Sequence, residues 1–225
     1  MKIIPVLDLK DGVVVHAQFG LRDHYQPINT ALCPSSDIYQ VIQAFLTLYP
    51  FDTFYIADLN AITLQGNHDD LMTEVLATFP QLTFWIDKGY QQASTLPNNC
   101  IPVLGSECYT DESIAEFEAF NKQFILSLDY SKTEALGAKG LFLKPELWPE
   151  SVIIMTLNRV GSGQGPDLVK LASFCQQYPD KNFIAAGGIR DMNDLLALKK
   201  LGVKHALVAS ALHSGIINNH TLTNL

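Results

Sequence analysis

Asn182-Phe183-Ile184-Ala185-Ala186-Gly187-Gly188-Ile189-Arg190-Asp191 is the stretch from which the fold is read. Phe183 to Ala186 is an apolar run of the length of one buried strand. Two glycines follow, so the backbone can turn tightly and bring its N–H groups close to a ligand. Asp191 then caps a helical pattern, Asp191 to Leu201, with Leu195, Leu196, Leu198 and Leu201 on one side. A strand, a Gly-Gly corner and a helix N-terminus together form a seat for a phosphate dianion. The plainer reading is an ordinary strand-to-helix turn.

Outward from this corner, the same grammar recurs. Apolar runs lie at Ile3–Leu9, Thr53–Ala57, Leu82–Ile86, Ile101–Leu104, Phe124–Leu128, Val152–Met155, Phe183–Ala186 and His205–Val208. Most alternate with helical patterns: about 35–49 behind Ser35, Ser36 or Asp37, then Asp69–Phe79, Asp111–Phe120 and Asp167–Gln177. Apolar runs without polar alternation suit strands buried on both faces, hence a parallel sheet. Eight such units predict a single (β/α)8 TIM barrel over residues 1–225. A doubly wound open sheet is the competing architecture. No GxGxxG follows the first strand, which counts against a dinucleotide site.

An internal echo supports duplication of a half-barrel. Tyr55-Ile56-Ala57-Asp58-Leu59-Asn60 through Gln65-Gly66 parallels Ile154-Met155-Thr156-Leu157-Asn158 through Gln164-Gly165. Val6-Leu7-Asp8 parallels Ser127-Leu128-Asp129. The paired strands stand four units apart.

Composition narrows the function. The chain has a net charge of −8 and 48% apolar residues, with no Lys/Arg-rich run. This argues against nucleic acid or a membrane surface as partner. A phosphate ligand must then be held by local backbone groups. No apolar run is long enough to span a membrane. The start, Met1-Lys2-Ile3-Ile4-Pro5-Val6, reads directly as a strand and not as a signal peptide. Cys33, Cys100, Cys108 and Cys175 lack metal-like spacing and read as free thiols of a cytoplasmic protein.

In a barrel, polar residues at strand C-termini are the catalytic candidates. Asp8, Asp58, Asp87 and Asp129 occupy such places, with Thr156 as a fifth. Asp8 and Asp129 would face each other across the mouth, as paired acid–base work requires, with one pKa raised so that it keeps its proton. Any one of these carboxylates could instead cap the next helix. Val160-Gly161-Ser162-Gly163-Gln164-Gly165-Pro166 is a flexible loop that could fold over a phosphate through Ser162 and backbone donors. Ala209-Ser210-Ala211-Leu212 opens a short helix beside Gly187-Gly188, where such barrels seat phosphate. Gly20–Pro34 reads as a mobile loop after a hairpin arm at Val13–Ala17. His16, His24 and His68 read as surface residues, without metal spacing.

Ile4-Pro5-Val6-Leu7-Asp8-Leu9-Lys10-Asp11-Gly12-Val13-Val14-Val15, Ser127-Leu128-Asp129, the Thr156 strand end with its glycine-rich loop, and Ala185-Ala186-Gly187-Gly188-Ile189-Arg190 resemble the HisA/HisF family of histidine biosynthesis. The resemblance runs nearly end to end. It implies a duplicated half-barrel and a phosphoribosyl substrate with a phosphate at each end. It implies an Amadori rearrangement in which Asp8 is the base at C2, Asp129 the acid on the ring oxygen, and Thr156 steadies the intermediate. Neither metal nor organic cofactor is implied. Gly163, Gly187, Gly188, Ala209 and Ser210 are the expected phosphate-binding residues.

Two stretches depart from the family pattern. After strand three, Asp87-Lys88-Gly89-Tyr90-Gln91-Gln92 replaces the usual Gly-Gly-Gly-Ile-Arg-Ser, so a carboxylate stands where a phosphate would sit. After strand eight, Val208-Ala209-Ser210-Ala211-Leu212-His213-Ser214-Gly215 replaces a glycine-containing turn. Both features resemble the HisA-related proteins of methanogens and methylotrophs, a branch associated with one-carbon (tetrahydromethanopterin-linked) metabolism. The expected ligand is a small phosphorylated metabolite held at one intact phosphate seat.

Overall fold

The computed structural model describes residues 1–225. Eight strands are numbered here in chain order: β1 Lys2–Lys10, β2 Thr53–Asp58, β3 Thr83–Asp87, β4 Cys100–Gly105, β5 Ile125–Ser131, β6 Ser151–Thr156, β7 Asn182–Ala186 and β8 His205–Val208. Each pairs in parallel with the next. β8 pairs in parallel with β1, Lys2 opposite His205 and Pro5 opposite Val208, and this closes the ring. The protein is a (β/α)8 barrel, and the open-sheet alternative is excluded.

Side chains alternate along a strand, so each barrel strand sends one set inward and one set outward. Ile4, Tyr55, Trp85, Val103, Ile125, Ile153, Ile184 and Leu207 fill the interior. The larger apolar cluster lies between the sheet and the surrounding helices. Counting by twos from these inner residues places Asp8, Asp87, Asp129 and Met155 inward. The same count turns Asp58 and Thr156 outward. The register levels Asp87 with Val6, Ser127 and Ala186, one from each odd strand, as the uppermost packed layer. Asp8 and Asp129 stand one layer above it, on opposite sides of the mouth.

The helical patterns mostly form where the sequence places them. Ile38–Leu48 is capped by Asp37, whose side chain accepts from the Gln40 N–H at 3.0 Å, and it buries Ile38, Val41, Ile42 and Phe45. Met192–Lys200 is capped by Asp191, which accepts from the N–H groups of Asn193 and Asp194. Leu195 and Leu198 are buried there, but Leu196 is 41% exposed and does not share their face.

The stretch expected as a helix from Asp111 is a turn followed by a 3-10 helix, Ile114–Phe120. Its buried residues, Ile114, Phe117 and Phe120, recur every three positions, which matches three residues per turn. No helix forms between β3 and β4. Short helices at Leu59–Ile62, Lys139–Leu143 and Asn219–Thr223 were not expected from the sequence.

The segment expected as a mobile loop is folded. A hairpin arm, Val13–His16, runs antiparallel to β1 and pairs in turn with Gln26–Pro27. Between them lies a 3-10 turn, Arg22–His24. Lys10 Nζ holds the Arg22 carbonyl at 3.0 Å, and Arg22 forms an ion pair with Glu107 on the far side of the mouth. The glycine-rich loop is also packed. A Cβ on Gly161 would lie 2.3 Å from the Ala17 carbonyl oxygen, and Arg159 donates to the Gly165 carbonyl at 2.9 Å. Glycine there permits close approach of two loops and not disorder.

Phe45 is fully buried and packs against Phe51, Phe54 and His213, tying the first helix to β2 and to the turn after β8. Phe45→Ala is expected to cost about 3–5 kcal/mol, read as a lower midpoint in chemical denaturation with the slope unchanged.

Candidate functional site

The C-terminal mouth of the barrel holds a cavity of about 700 Å³. Its walls come from β1 and its loop, from β2, β3 and β5, and from the turns after β4, β6, β7 and β8. The cavity has two chemically distinct ends. One is lined by Asp8, Asp87, Asp129, Glu107, Arg22, Tyr25 and Tyr55; the other by Gly163, Gly187, Gly188, Ala209, Ser210, His16 and His213.

At the acidic end, Asp129 is 3% exposed and firmly held. Ser127, two residues earlier on the same inward face, donates its hydroxyl to Oδ1 at 2.6 Å. Oδ2 accepts from the Ser106 hydroxyl at 3.3 Å and the Glu107 N–H at 3.2 Å. Asp87, 6% exposed, accepts from the Tyr55 hydroxyl at 3.1 Å. Gly105 lies between the two carboxylates. A Cβ there would stand 3.1 Å from Asp129 Oδ2 and 3.3 Å from Asp87 Oδ2, so the two groups converge on space that a side chain would fill. Asp8 is half-buried and accepts no hydrogen bond from the protein.

Burial dominates the electrostatics of these groups. It pushes Asp8 up to about 7 against the opposing pull of Arg22. It pushes Asp87 up to about 7, helped by the nearby Glu107 charge and resisted by Tyr55, Gly89 and Arg22. Asp129 rises to about 8 from burial and from the charges of Glu107 and Asp87, although the Ser127 hydrogen bond favours its ionised form. Two carboxylates this close cannot both ionise cheaply, so one holds a proton near neutral pH. The Cys108 thiol, close by, is raised above its ordinary value by burial and by the same acidic groups, so it stays protonated and is no nucleophile.

At the other end, Gly187 and Gly188 have φ of 95° and 83°. A Cβ would lie 2.8 Å from the Thr156 carbonyl oxygen at Gly187 and 2.5 Å from the Gly165 carbonyl oxygen at Gly188, so both conformation and space demand glycine. The N–H groups of Gly187 and Gly188 enter no turn or loop hydrogen bond. His16 Nε2 lies 3.1 Å from the Ser210 hydroxyl, either atom able to donate. Burial, then His16, holds the His213 imidazole down at about 4, so it is neutral.

Of the residues singled out from the sequence, Asp8, Asp129, Gly163, Gly187, Gly188, Ala209 and Ser210 line this one cavity. Thr156 does not. It is 1% exposed, its hydroxyl has no partner, and strand parity turns it toward the helices; Met155 lines the cavity instead. Ser162 is likewise off the cavity, its hydroxyl accepting from the Gln164 N–H. Asp58 is a helix cap: it accepts from the Ala61 N–H and from the N–H and ring of His68.

Arg22, Glu107, Tyr55 and Ser106 were not foreseen as site residues. Inward parity with Ala57 could have found Tyr55. Nothing local to Arg22 or Glu107 predicts that a loop after β1 reaches one after β4. No group of three His, Cys, Asp or Glu is disposed to hold a metal ion, and no helix is long and apolar enough to cross a membrane. The four cysteines are unpaired.

The three raised carboxyls fix a sign for stability. The folded protein keeps protons that the unfolded chain releases above about pH 4, so folding binds protons between there and about pH 8. Their contribution is therefore full in acid and is lost as pH rises through that window. The thermal midpoint is expected to fall more steeply with rising pH in the parent protein than in Asp129→Asn. Parallel curves across pH 5 to 8 would contradict the burial argument.

Comparison with known proteins agrees with this geometry. The family model described as Histidine biosynthesis protein matches residues 145–218, which hold β6, the glycine-rich loop, β7 and β8. An uncharacterised protein of Methanocaldococcus jannaschii is 29% identical, covering 100% of this chain and 98% of its own length. The 1-(5-phosphoribosyl)-5-((5-phosphoribosylamino)methylideneamino)imidazole-4-carboxamide isomerase of Cenarchaeum symbiosum is 24% identical, covering 97% of both chains. The isomerase of the same name from Clostridium botulinum is 22% identical, over 97% of this chain and 94% of its own. With a closed eight-stranded barrel, a glycine corner after β7 and full-length isomerase relatives at 24% and 22% identity, the chain is similar to the HisA/HisF-like barrels.

Proposed function

We propose that the protein is an isomerase of a small phosphorylated metabolite, with Asp8 and Asp129 as its acid–base pair and an aldose–ketose (Amadori-type) rearrangement as its reaction. The observation that carries this is the convergence, in one cavity, of two facing carboxyls and a glycine corner suited to phosphate. Gly163, Gly187, Gly188, Ala209 and Ser210 would hold the phosphate through backbone donors and the Ser210 hydroxyl. Asp129, raised by burial and by the charges of Glu107 and Asp87, carries the proton. It would protonate the ring oxygen as the C1–O bond breaks; the electrons of that bond pass to the ring oxygen, and a lone pair on the C1 amino nitrogen forms a C1=N bond, giving an iminium whose C2–H is acidic. Asp8, open to the cavity and without a hydrogen-bonding partner, would take the proton from C2. The resulting enol form then tautomerises to the ketose. Thr156, directed away from the cavity, has no part in this sequence.

A second reading is a binding protein that kept the seat and lost the reaction. Asp87 in place of a family phosphate motif favours it. Ordinary histidine-pathway isomerase activity is a third, suggested by the relatives' names. A link to one-carbon metabolism finds no support in the cavity residues or in these relatives.

Interconversion of phosphorylated aldoses and aminoaldoses with their ketoses, followed by NMR, tests the proposal. Activity should follow a narrow bell-shaped pH profile, rising as Asp8 ionises near 7 and falling as Asp129 loses its proton near 8. Asp8→Asn and Asp129→Asn should each lower kcat by about 10²–10⁴-fold. Full activity in both variants would overturn the assignment. Stabilisation by a phosphosugar without turnover would establish the binding reading, and rescue of a histidine auxotroph lacking HisA would establish the third.

A further inference from the structure

The corner after β3 is where a second phosphate would be expected from the family pattern, and there the chain places a buried carboxylate, Asp87. The Gly89 N–H turns back toward Asp87 Oδ1, at 3.4 Å. Cys108 Sγ lies 3.3 Å from the position of a Cβ on Gly89, so sulfur fills the space beside the corner. Lys88 does not compensate the Asp87 charge: its ammonium is paired outward with Asp69 at 2.5 Å and lies over the Tyr90 ring. Arg22, the one cationic side chain at this end of the cavity, is already paired with Glu107. Asp87 itself is anchored by the Tyr55 hydroxyl, one layer below the rim. The N–H groups of the Gly187–Gly188 corner are free of turn or loop hydrogen bonds.

We propose that Asp87 is a specificity-determining residue: it limits the ligand to one phosphoryl group, seated at Gly187–Gly188, and turns a hydroxyl- or ammonium-bearing end toward the Tyr55–Asp87 pair. A phosphate dianion brought to Asp87 meets a buried carboxyl that must stay protonated or repel it. A hydrogen-bond donor arriving there instead satisfies an acceptor that already lies within the walls. The inference rests on the phosphate seat of the proposed function and adds what the far end of the substrate cannot be.

Calorimetric titration of the full chain with ribose 5-phosphate and with ribulose 1,5-bisphosphate at neutral pH tests it. The monophosphate should bind more tightly by about tenfold or more. In Asp87→Asn, the bisphosphate should gain about tenfold while the monophosphate stays within about threefold of the parent. Gly188→Ala should abolish binding of both, because its Cβ would lie 2.5 Å from the Gly165 carbonyl oxygen. Equal binding of the two ligands by the parent protein, lost in Gly188→Ala, would reject selection by Asp87 and leave the phosphate seat standing. An unchanged ratio in a folded Asp87→Asn would reject it as well. If neither ligand binds the parent protein, the seat and this inference fall together. The parent ratio alone decides the matter should Asp87→Asn not fold.

Discussion

Pairing of β8 with β1 closes the sheet, and closure sets which way each strand-end side chain points. In an open sheet, both faces of every strand are covered by helices and neither converges on anything. In the closed ring the inward set meets on one axis. Asp8 and Asp129, far apart in the chain, come to opposite sides of one mouth because β1 and β5 lie half a circuit apart. Thr156 and Asp58 occupy equally suggestive strand ends and face the helices. One residue of offset decides between a cavity and a cap.

The mouth is then shaped by what it must bury. Three inward carboxyls and Glu107 meet a single guanidinium, and burial raises Asp8, Asp87 and Asp129 together. Such an arrangement is costly for folding and useful for proton transfer near neutral pH. Gly105 is part of it, since any side chain there would occupy the space into which Asp87 and Asp129 reach. Ser106 serves twice, accepting from the Asp129 N–H and donating to its carboxylate, which locks the acid in place.

The loops around the mouth show how a glycine-rich or polar stretch can mislead. Gly20–Pro34 and Val160–Pro166 have the composition of mobile connections. The first pairs into the hairpin arm through Gln26–Pro27, and the second packs on Ala17 to Phe19 just before it, the Phe19 N–H donating to the Val160 carbonyl at 2.7 Å. Arg22 spans the mouth to Glu107, so the β1 loop roofs the acidic end. Composition reports the freedom of an isolated segment, whereas contacts made after the chain closes remove that freedom.

Period and punctuation in the chain by themselves determined the eight strands, the principal helices with the Asp191 cap, the glycine corner after β7 and the Asp8–Asp129 pairing across a barrel. These are legible because they depend on local alternation, capping chemistry and the geometry common to all such rings. Only the tertiary structure decided that Thr156 faces outward, that Asp58 is a cap, that Asp87 lies one layer below the rim against Tyr55, and that Arg22 meets Glu107. Those depend on register and on contacts between distant loops, which no short window of sequence encodes.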